Sequence, residues 1–252
     1  MAALIALLAA WILLIVFAEW ARHAPIRNGD LLGQSLYRLV QLHVRLVHGL
    51  RVEGLENVPD RQDPTDDSPL VIVSNHAAGI DPLLIQAALP FEVTWIMAID
   101  MREASLESLW SYAKIIFVDR RTGESMGLRA ALRVLKSNGV IGVFPEGHIE
   151  RPARVLLPFE SGAGLIVARS GARVLPVVIE GAPLTESAWA SLFIPSRSRI
   201  RFLPPIDYAA AKIKPADIAP DLRHRYAQAT GWPMTNRRYG FVNGVWVELT
   251  HP

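Results

Sequence analysis

The longest apolar run of the chain lies at its amino terminus. Residues Ala2 to Ala18 contain no charged side chain, and a helix over them would span about 26 Å at about 1.5 Å per residue. That length is slightly below the roughly 30 Å hydrocarbon core of a bilayer, so flanking residues would complete a membrane helix. We expect a retained anchor rather than a cleaved signal peptide, because no Lys or Arg precedes the run and no clean cleavage site follows it.

A second helical pattern follows the anchor. Trp20 suits the membrane interface, and Arg22 and Arg27 favour a cytoplasmic location for the polypeptide that follows. Between Leu31 and Leu50, apolar residues recur mostly at three- and four-residue steps with basic residues among them, which predicts an amphipathic helix. We expect this helix to lie on the bilayer surface, and packing on the core of the protein is the alternative.

After residue 50 the pattern changes to short apolar runs that alternate with helical segments. A polar stretch from Glu53 to Ser68 separates the two parts of the chain, which we divide into residues 1–50 and residues 51–252. The second part predicts an α/β sandwich, with helices around a largely parallel sheet, and no clear pattern extends beyond Pro204. The expected strands are Leu70–Val73, Thr94–Ala98, Ile115–Val118, Val140–Phe144, Val174–Ile179 and Ile200–Leu203, and the expected helices are Leu83–Ala88, Ser105–Tyr112, Met126–Ser137 and Gly162–Ser170.

Composition narrows the class of protein. The chain has 252 residues, 51% of them hydrophobic, which is enough for one substantial core besides the anchor. Its 26 Lys and Arg residues nearly balance its 24 Asp and Glu residues, so a nucleic-acid partner is not expected. The absence of cysteine fits a reducing compartment and excludes both disulfides and a cysteine nucleophile.

Candidate chemistry begins directly after the first of these strands. His76 and Asp81 would lie roughly 140° apart on a regular helix, so a turn is needed to bring them together. Small residues separate them, and Asp81 followed by Pro82 is typical of a helix start with Asp81 as the N-cap. A carboxylate can hold an imidazole in one tautomer while the imidazole takes a proton near neutral pH. The alternative is that Asp81 only caps the helix and His76 only packs.

Two further expected strands also end in polar residues. Glu146 lies in a Pro-Glu-Gly turn after one strand, and Arg120 follows another. Sites in open α/β sheets form beyond the carboxyl ends of strands. The sequence therefore predicts one cleft that contains His76, Asp81, Arg120 and Glu146.

The segments that contain His76, Arg120 and Glu146 resemble the 1-acyl-glycerol-3-phosphate acyltransferases and related glycerolipid acyltransferases. They occur in the same order along the chain as in that family. The Asn-His-x-x-x-x-Asp motif of that family is matched by Asn75, His76 and Asp81. Its Phe-Ile-x-Arg and Phe-Pro-Glu-Gly blocks are matched by residues 117–120 and 144–147, and a later Val-Pro strand by residues 175–178. The resemblance runs from about residue 50 to about residue 181, and the ordered combination is more specific than any single block.

The resemblance implies transfer of a fatty acyl chain from acyl-CoA or acyl carrier protein to the free hydroxyl of a lysolipid, without a covalent enzyme intermediate. It implies His76 as general base, oriented by Asp81, and 1-acyl-glycerol-3-phosphate as the preferred acceptor. An alcohol is a poor nucleophile at neutral pH, and a positioned base accelerates its reaction by about 10²- to 10⁴-fold. No Gly-x-Ser-x-Gly motif is present, and Ser74, two residues before His76, is the less favoured nucleophile.

The chain departs from the family after Gly147. The family usually continues with Thr-Arg, whereas this chain continues with His148, so we expect Arg151 or Arg154 to supply the missing charge for the acceptor's phosphate. His148 is expected to be a solvated loop residue, with an acceptor contact as the alternative. The expected substrate-binding residues are Asn75, Phe117, Arg120, Phe144, Pro145, Glu146, Gly147 and Arg151.

No metal, and no cofactor besides the acyl donor as co-substrate, is expected, because the candidate ligands lack the close histidine spacing of metal-binding motifs. The expected partners are membrane lipids, the lysolipid acceptor and the acyl donor, and residues 51–252 are the expected catalytic domain. Two other functions remain open: an acyltransferase or transacylase for another lysophospholipid or a lyso-aminolipid, and a non-catalytic lipid-binding protein. The combination of His76, Asp81 and Glu146 weighs against the second.

Overall fold

The structure is a computed structural model that describes residues 1–61, 68–119, 125–149, 151–185, 187–242 and 245–249. Within these ranges the chain forms a seven-stranded sheet with helices on both faces, a two-stranded hairpin and a pair of amino-terminal helices. The helices are α1 (Ala2–Arg22), α2 (Leu31–Val47), α3 (Asp81–Ala88), α4 (Glu107–Tyr112), α5 (Ser125–Lys136), α6 (Ser161–Ser170) and α7 (Pro215–Thr230). The strands are β1 (Arg51–Glu53), β2 (Leu70–Ser74), β3 (Thr94–Ala98), β4 (Ile116–Val118), β5 (Val140–Val143), β6 (Arg173–Glu180), β7 (Arg199–Phe202), β8 (Arg238–Val242) and β9 (Val245–Leu249).

The strands of the large sheet lie in the order β1-β7-β6-β2-β5-β3-β4. The neighbours from β6 through β2, β5 and β3 to β4 are parallel, whereas β7 runs antiparallel to β6 and β1 runs parallel to β7. Strands β2 and β5 therefore end side by side, with Val73 paired to Val143. This topology confirms the prediction of an α/β sandwich around a largely parallel sheet.

Strand β2 is central because both of its faces are covered. Leu70 and Ile72 belong to the core cluster that contains Leu84 of α3, while Val71 and Val73 belong to the cluster that contains residues of α5, α6 and α7. Full burial of such an aliphatic side chain contributes about 1.5–3 kcal/mol. A nearly continuous apolar run is typical of a parallel strand covered on both faces, and the polar site residues come directly after it.

The two amino-terminal helices differ in how they meet the core. Helix α1 is a candidate membrane span by length and composition, and none of its most apolar 18-residue window is buried. Helix α2 buries Tyr37 and Val44 against the domain but exposes Leu32, Leu36 and Leu39 on another face. The alternative interpretation of this helix, packing on the core, is therefore correct for one face.

Polar contacts hold the start of α2 against the domain. Asp30 caps the helix, because its Oδ1 accepts a hydrogen bond from Gly33 N at 3.0 Å, an interaction that typically contributes about 1 kcal/mol. Arg27 donates from Nη2 to the carbonyl oxygen of Tyr112 at 2.8 Å and forms an ion pair with Glu92. The segment between α1 and α2 is thus fixed to the sheet domain at several points.

Three parts of the fold are absent from the sequence-based expectation: β1, helix α7 and the β8–β9 hairpin. Helix α7 buries Ile218, Leu222 and Tyr226, so it has an ordinary core-facing side. Pro220 lies inside it and removes one backbone donor, which is a signal against a helix in sequence. Packing on the sheet overrides that local preference.

Candidate active site

The turn after β2 brings His76 and Asp81 together. His76 Nδ1 lies 3.0 Å from Asp81 Oδ2, which also accepts hydrogen bonds from the backbone N–H groups of Ala77 at 2.7 Å and Ala78 at 2.8 Å. Helix α3 begins at Asp81, with Ile80 in the N-cap position. The expected N-cap role of Asp81 is therefore wrong, because its carboxylate turns back toward the donors that precede the helix.

This contact decides which nitrogen of His76 can take a proton. An ionised carboxylate only accepts hydrogen bonds, so Nδ1 of the neutral imidazole carries the hydrogen and Nε2 carries the lone pair. The Asp81 side chain is 0% exposed, whereas that of His76 is 20% exposed. The pair can therefore accept a proton at Nε2 and stabilise the resulting imidazolium through a sheltered carboxylate.

Glu146 holds the backbone that carries His76. It is 1% exposed, and its two oxygens accept hydrogen bonds from His76 N and Leu157 N, both at 3.3 Å. Gly147 completes the turn with φ of +72°, in the left-handed region that favours glycine. On α7, burial lowers the pKa of Arg223, and the charge of Glu146 opposes that change. Glu146 thus links the ends of β2 and β5 to the segment at Leu157.

Two aromatic rings are stacked behind the imidazole. The centroids of the His76 and Phe144 rings are 4.1 Å apart at 17°, and those of Phe144 and Trp95 are 5.2 Å apart at 11°. Trp95 fits against Gly142, where an added Cβ atom would lie 2.5 Å from the indole. Such pairs contribute about 0.5–1.5 kcal/mol each, so the row restrains the imidazole. The sequence analysis missed Trp95, although a glycine inside a strand often marks this kind of close approach.

A cavity of about 630 Å³ lies beside His76, within the range of small-molecule sites. It also contains Glu146 from a second strand end, as the strand pattern predicts, while Arg120 lies outside the described residues. The described residues that line it include carboxylates but neither Arg nor Lys. Other members of the lining are Asp119, Phe144, Pro145, Gly147, His148 and Glu160, together with the apolar Trp95, Ile96, Met97, Met101, Val118, Leu128 and Ile166.

Three expected substrate contacts, Asn75, Phe117 and Arg151, are not among the described residues that line this cavity. Asn75 is fully buried; its Nδ2 donates to the oxygen of Ile179 at 3.0 Å, and its Oδ1 accepts from the nitrogen of Ile179 at 2.8 Å. Phe117 packs edge-on against Trp110 of α4 at 6.1 Å. Asn75 therefore joins the end of β2 to β6, and Phe117 joins β4 to α4.

Arg151 and His148 differ in their surroundings, because only His148 lines the cavity. Arg151 donates from Nη1 to the oxygen of Ala77 at 3.2 Å and from Nη2 to the oxygen of Thr185 at 2.9 Å. Its guanidinium therefore lies beside the turn that follows His76. His148 is half-buried and lines the cavity, a position that favours an acceptor contact over the solvated-loop interpretation.

The structure also shows how Ser74, the less favoured nucleophile, and the candidate metal ligands are placed. Ser74 is fully buried, and its hydroxyl donates to the carbonyl oxygen of Asn75 at 3.0 Å, so it is not placed as a nucleophile. Among the residues that the structure describes, no group of three His, Cys, Asp or Glu side chains could hold a metal ion.

A family model described as acyltransferase matches residues 49–180. This is slightly more than half of the 252 residues, and it includes the turns at His76 and Glu146. The chain belongs to the acyltransferase family. The match confirms the resemblance found in the ordered sequence blocks.

The chain is similar to curated proteins named 1-acyl-sn-glycerol-3-phosphate acyltransferase. It is 28% identical to the alpha protein of Ovis aries over 199 residues, which cover 77% of this chain and 66% of that relative. It is 29% identical to the Borreliella burgdorferi protein over 132 residues, which cover 51% of this chain and 50% of that relative. The matched part of the chain thus spans about two thirds of the Ovis aries protein and one half of the Borreliella burgdorferi protein.

The chain also has a solved structural neighbour. The crystal structure of the 1-acyl-sn-glycerophosphate (LPA) acyltransferase PlsC from Thermotoga maritima superposes with a TM-score of 0.59. The alignment is 20% identical and covers 79% of this chain and 80% of that chain. At this identity the likeness concerns the fold.

Helix α7 lies beyond the family match but supports the site from behind. The hydroxyl of Tyr226 accepts a hydrogen bond from Val177 N at 3.0 Å and contacts the carbonyl oxygen of Val73. Burial raises the pKa of Tyr226, so the hydroxyl keeps its proton. One side chain thereby joins β2 and β6 just before the turn that contains His76.

Proposed function

We propose that this protein transfers a fatty acyl chain from a thioester donor to the free hydroxyl of a lysolipid. The observation that carries the proposal is the 3.0 Å contact between His76 Nδ1 and Asp81 Oδ2 beside a largely apolar cavity. A lipid-binding scaffold has no chemical need for a base and an orienting carboxylate. A cysteine acyl-enzyme is excluded because the chain contains no cysteine.

The mechanism is direct transfer. The acceptor hydroxyl donates a hydrogen bond to His76 Nε2, and its proton passes to that nitrogen as the oxygen attacks the thioester carbonyl carbon. Asp81 stabilises the imidazolium that forms. A C–O bond is made, the C–S bond then breaks, and the imidazolium returns its proton to the leaving thiolate. The imidazole is regenerated in each turnover without a covalent bond to the protein.

The surroundings of His76 support this use of it as a base. Its backbone N–H is held by Glu146, its ring is stacked on Phe144, and its Nδ1 is held by Asp81. A base that is already oriented does not lose that freedom when the substrate binds, which lowers the entropic part of the barrier. Asn75 and Glu146 are positioning residues in this mechanism.

The proposed acceptor is 1-acyl-glycerol-3-phosphate, and the product is phosphatidic acid. The names of the Ovis aries and Borreliella burgdorferi relatives support this choice. We assign the phosphate contact to Arg151, which lies beside the turn after His76, because a guanidinium can present paired donors to phosphate oxygens. The acyl donor is acyl-CoA or acyl carrier protein.

The lining of the cavity favours a second acceptor class. Asp119 and Glu160 lie in its wall, and neither Arg nor Lys is among the described lining residues. Carboxylates attract a cationic headgroup. A lysophospholipid with an amine headgroup or another lyso-aminolipid is therefore the second candidate, with a thioester or a second phospholipid as acyl donor.

Helix α1 supports a reaction at the membrane. An exposed apolar helix of this length is suited to a bilayer, and Arg22 and Arg27 after it favour the cytoplasmic side for the catalytic domain. A lysolipid can then reach the base without leaving the bilayer surface.

Acyl transfer by the full chain in detergent tests the proposal. Labelled acyl-CoA, labelled acyl carrier protein and a labelled diacyl phospholipid are each offered with 1-acyl-glycerol-3-phosphate, lysophosphatidylethanolamine and lysophosphatidylcholine. We expect transfer to the phosphate acceptor, a loss of about 10²- to 10⁴-fold in His76→Ala, and an unchanged rate in His224→Ala, which alters an exposed histidine.

The other outcomes separate the alternatives. A preference for lysophosphatidylethanolamine would replace the first acceptor with the second candidate. Transfer only from a diacyl phospholipid would identify a transacylase. A folded protein that transfers to no acceptor would contradict catalysis and support a lipid-binding protein.

A further inference from the structure

A second cavity, of about 580 Å³, lies where the end of α1 meets α2. Trp20 contributes to it from α1, and Arg38, Gln41 and Arg45 contribute from α2. Apolar surface is added by residues of α2, α3 and the segment after α2. This cavity and the one beside His76 share no lining residue among those that the structure describes.

The two arginines of this cavity belong to one side of α2. They are seven residues apart, so a regular helix returns to within about 20° of the same direction after about 10.5 Å of rise. Gln41 lies between them and also lines the cavity. Helical register alone therefore places two guanidinium groups and an amide along one wall.

Arg38 is held in place by neutral groups. Its Nη1 donates to Gln41 Oε1 at 3.0 Å, its Nη2 donates to the carbonyl oxygen of His23 at 3.0 Å, and its guanidinium lies 4.7 Å from the centroid of the Trp20 ring. Its Nε is buried and has no hydrogen-bond partner among the described residues. These contacts fix the side chain but leave its charge without a counter-charge.

Within the part of the chain that the structure describes, no carboxylate balances the charge of the two arginines. Among the described residues, neither Arg38 nor Arg45 forms an ion pair, and the lining of the cavity contains no Asp or Glu. The carboxylate of Glu19, near the end of α1, is 3.2 Å from Arg22 instead. A concave surface with two unbalanced cations attracts anions, and guanidinium groups match phosphate oxygens in particular.

The surroundings indicate which anion reaches this cavity. Trp20 ends the apolar α1, a position typical of the bilayer interface, and α2 exposes Leu32, Leu36 and Leu39. With α1 in the bilayer, the arginines lie at the level of the phospholipid headgroups. Apolar atoms of Leu50 and Ala87 line the same cavity, which suits the glycerol and the first part of an acyl chain.

We propose that this cavity binds the phosphate headgroup of an anionic phospholipid from the leaflet at the carboxyl end of α1. Arg38 and Arg45 contact the phosphate oxygens, and Trp20 and Gln41 border the headgroup. The site is separate from the catalytic cavity and does not depend on the reaction proposed for His76.

Native mass spectrometry of the full chain released from detergent tests the site. The probes are dioleoyl phosphatidylglycerol and dioleoyl phosphatidylcholine in equal amounts, so that only the headgroup differs. We expect the wild type to retain phosphatidylglycerol preferentially, and the Arg38→Gln/Arg45→Gln variant to lose that preference by roughly ten- to thirtyfold, since each basic residue at a membrane surface contributes to anionic lipid binding.

The matched control is Arg129→Gln/Arg133→Gln, which removes the same charge from exposed positions of α5. This control should keep the preference for phosphatidylglycerol, and circular dichroism and thermal unfolding verify that both variants fold. Equal retention of the two lipids by the wild type, or equal loss in both double variants, would overturn the proposal. Displacement of phosphatidylglycerol by millimolar inorganic phosphate would identify a free-anion site and overturn the lipid assignment.

Discussion

The two cavities have similar volumes, about 630 and 580 Å³, but opposite charge and different architecture. The cavity beside His76 contains carboxylates at the ends of parallel strands, whereas the cavity beside Arg38 contains guanidinium groups between two helices. His76 and Glu146 are 70 residues apart in sequence and are joined by the sheet, while Arg38 and Arg45 are joined by the register of one helix. The catalysis proposed at the first cavity therefore depends on converging elements, and the anion binding proposed at the second depends on helical periodicity.

The largest expected effect is a loss of activity at the cavity beside His76 with no change in lipid binding at the cavity beside Arg38. Asp81→Asn removes the charge that orients His76 and stabilises its imidazolium, so we expect kcat to fall by about 10²- to 10⁴-fold. Retention of phosphatidylglycerol should not change. Asp217→Asn, at an exposed site in the first turn of α7, is the control. A kcat within threefold of wild type would mean that Asp81 only holds the turn.

The next effect tests which arginine serves the catalytic cavity. Arg151→Gln should raise KM for 1-acyl-glycerol-3-phosphate by about tenfold or more, because a charged hydrogen bond contributes about 1.5–3 kcal/mol, with a smaller change in kcat. Arg154→Gln removes the same charge from an exposed neighbour, and Arg38→Gln/Arg45→Gln removes charge from the other cavity. Steady-state kinetics in detergent should show KM unchanged in both. A larger rise in Arg154→Gln would transfer the assignment to Arg154.

A smaller effect concerns the stacked rings of Phe144 and Trp95 behind His76. Gly142→Ala places a Cβ atom 2.5 Å from Trp95, so we expect a loss of about 1–3 kcal/mol in the free energy of unfolding and a several-fold fall in kcat. Trp95→Phe added to Gly142→Ala should recover part of both, because the smaller ring makes room. Thermal unfolding measures the change in stability, and steady-state kinetics on the same variants measures the change in kcat. Unchanged values in Gly142→Ala would show that the row does not restrain the imidazole.

The smallest effect is a pH dependence at the end of α2, next to the second cavity. His48 is buried, its Nε2 donates to the oxygen of Leu192 at 3.1 Å, and its Nδ1 accepts from Ser196 Oγ at 2.9 Å. Burial lowers the pKa of His48 from its usual value of 6.5. As pH falls below that value, the unfolded chain binds a proton that the folded chain does not, so stability is lost with a slope of at most about 1.4 kcal/mol per pH unit.

The unfolding midpoint as a function of pH measures this effect. His48→Gln should flatten the profile on the acidic side, whereas His224→Gln, at an exposed position, should reproduce the wild-type slope. A profile of His48→Gln that parallels the wild type would remove His48 as its cause.

Local sequence patterns were sufficient to predict most of the sheet and the turn that joins His76 to Asp81. Strands such as β3 follow from apolar runs of the right length, and the proximity of His76 and Asp81 follows from the need for a turn between a strand and a helix. The direction of the Asp81 carboxylate does not, because it is decided by the N–H groups of Ala77 and Ala78, which a helix-start pattern does not specify.

The remaining features depend on tertiary packing. Helix α7 is obscured in sequence by Pro220, and Tyr226 gains its position only by bonding to two strands of the sheet. Trp95 is one apolar residue among many until its ring is seen against Gly142 and Phe144. Helical spacing in the sequence predicts that Arg38 and Arg45 lie on one side of α2. The cavity beside them is not predicted, because Trp20 of α1 forms part of its lining.

The proposed proton transfer is tested most directly by a single-turnover experiment with enzyme in excess over a labelled acyl thioester. With acceptor present, the wild type should convert the label into lipid product without any label on the protein, and His76→Ala should leave the thioester intact. Label bound covalently to the wild-type chain before product appears, or efficient transfer by His76→Ala, would contradict direct transfer with His76 as the base.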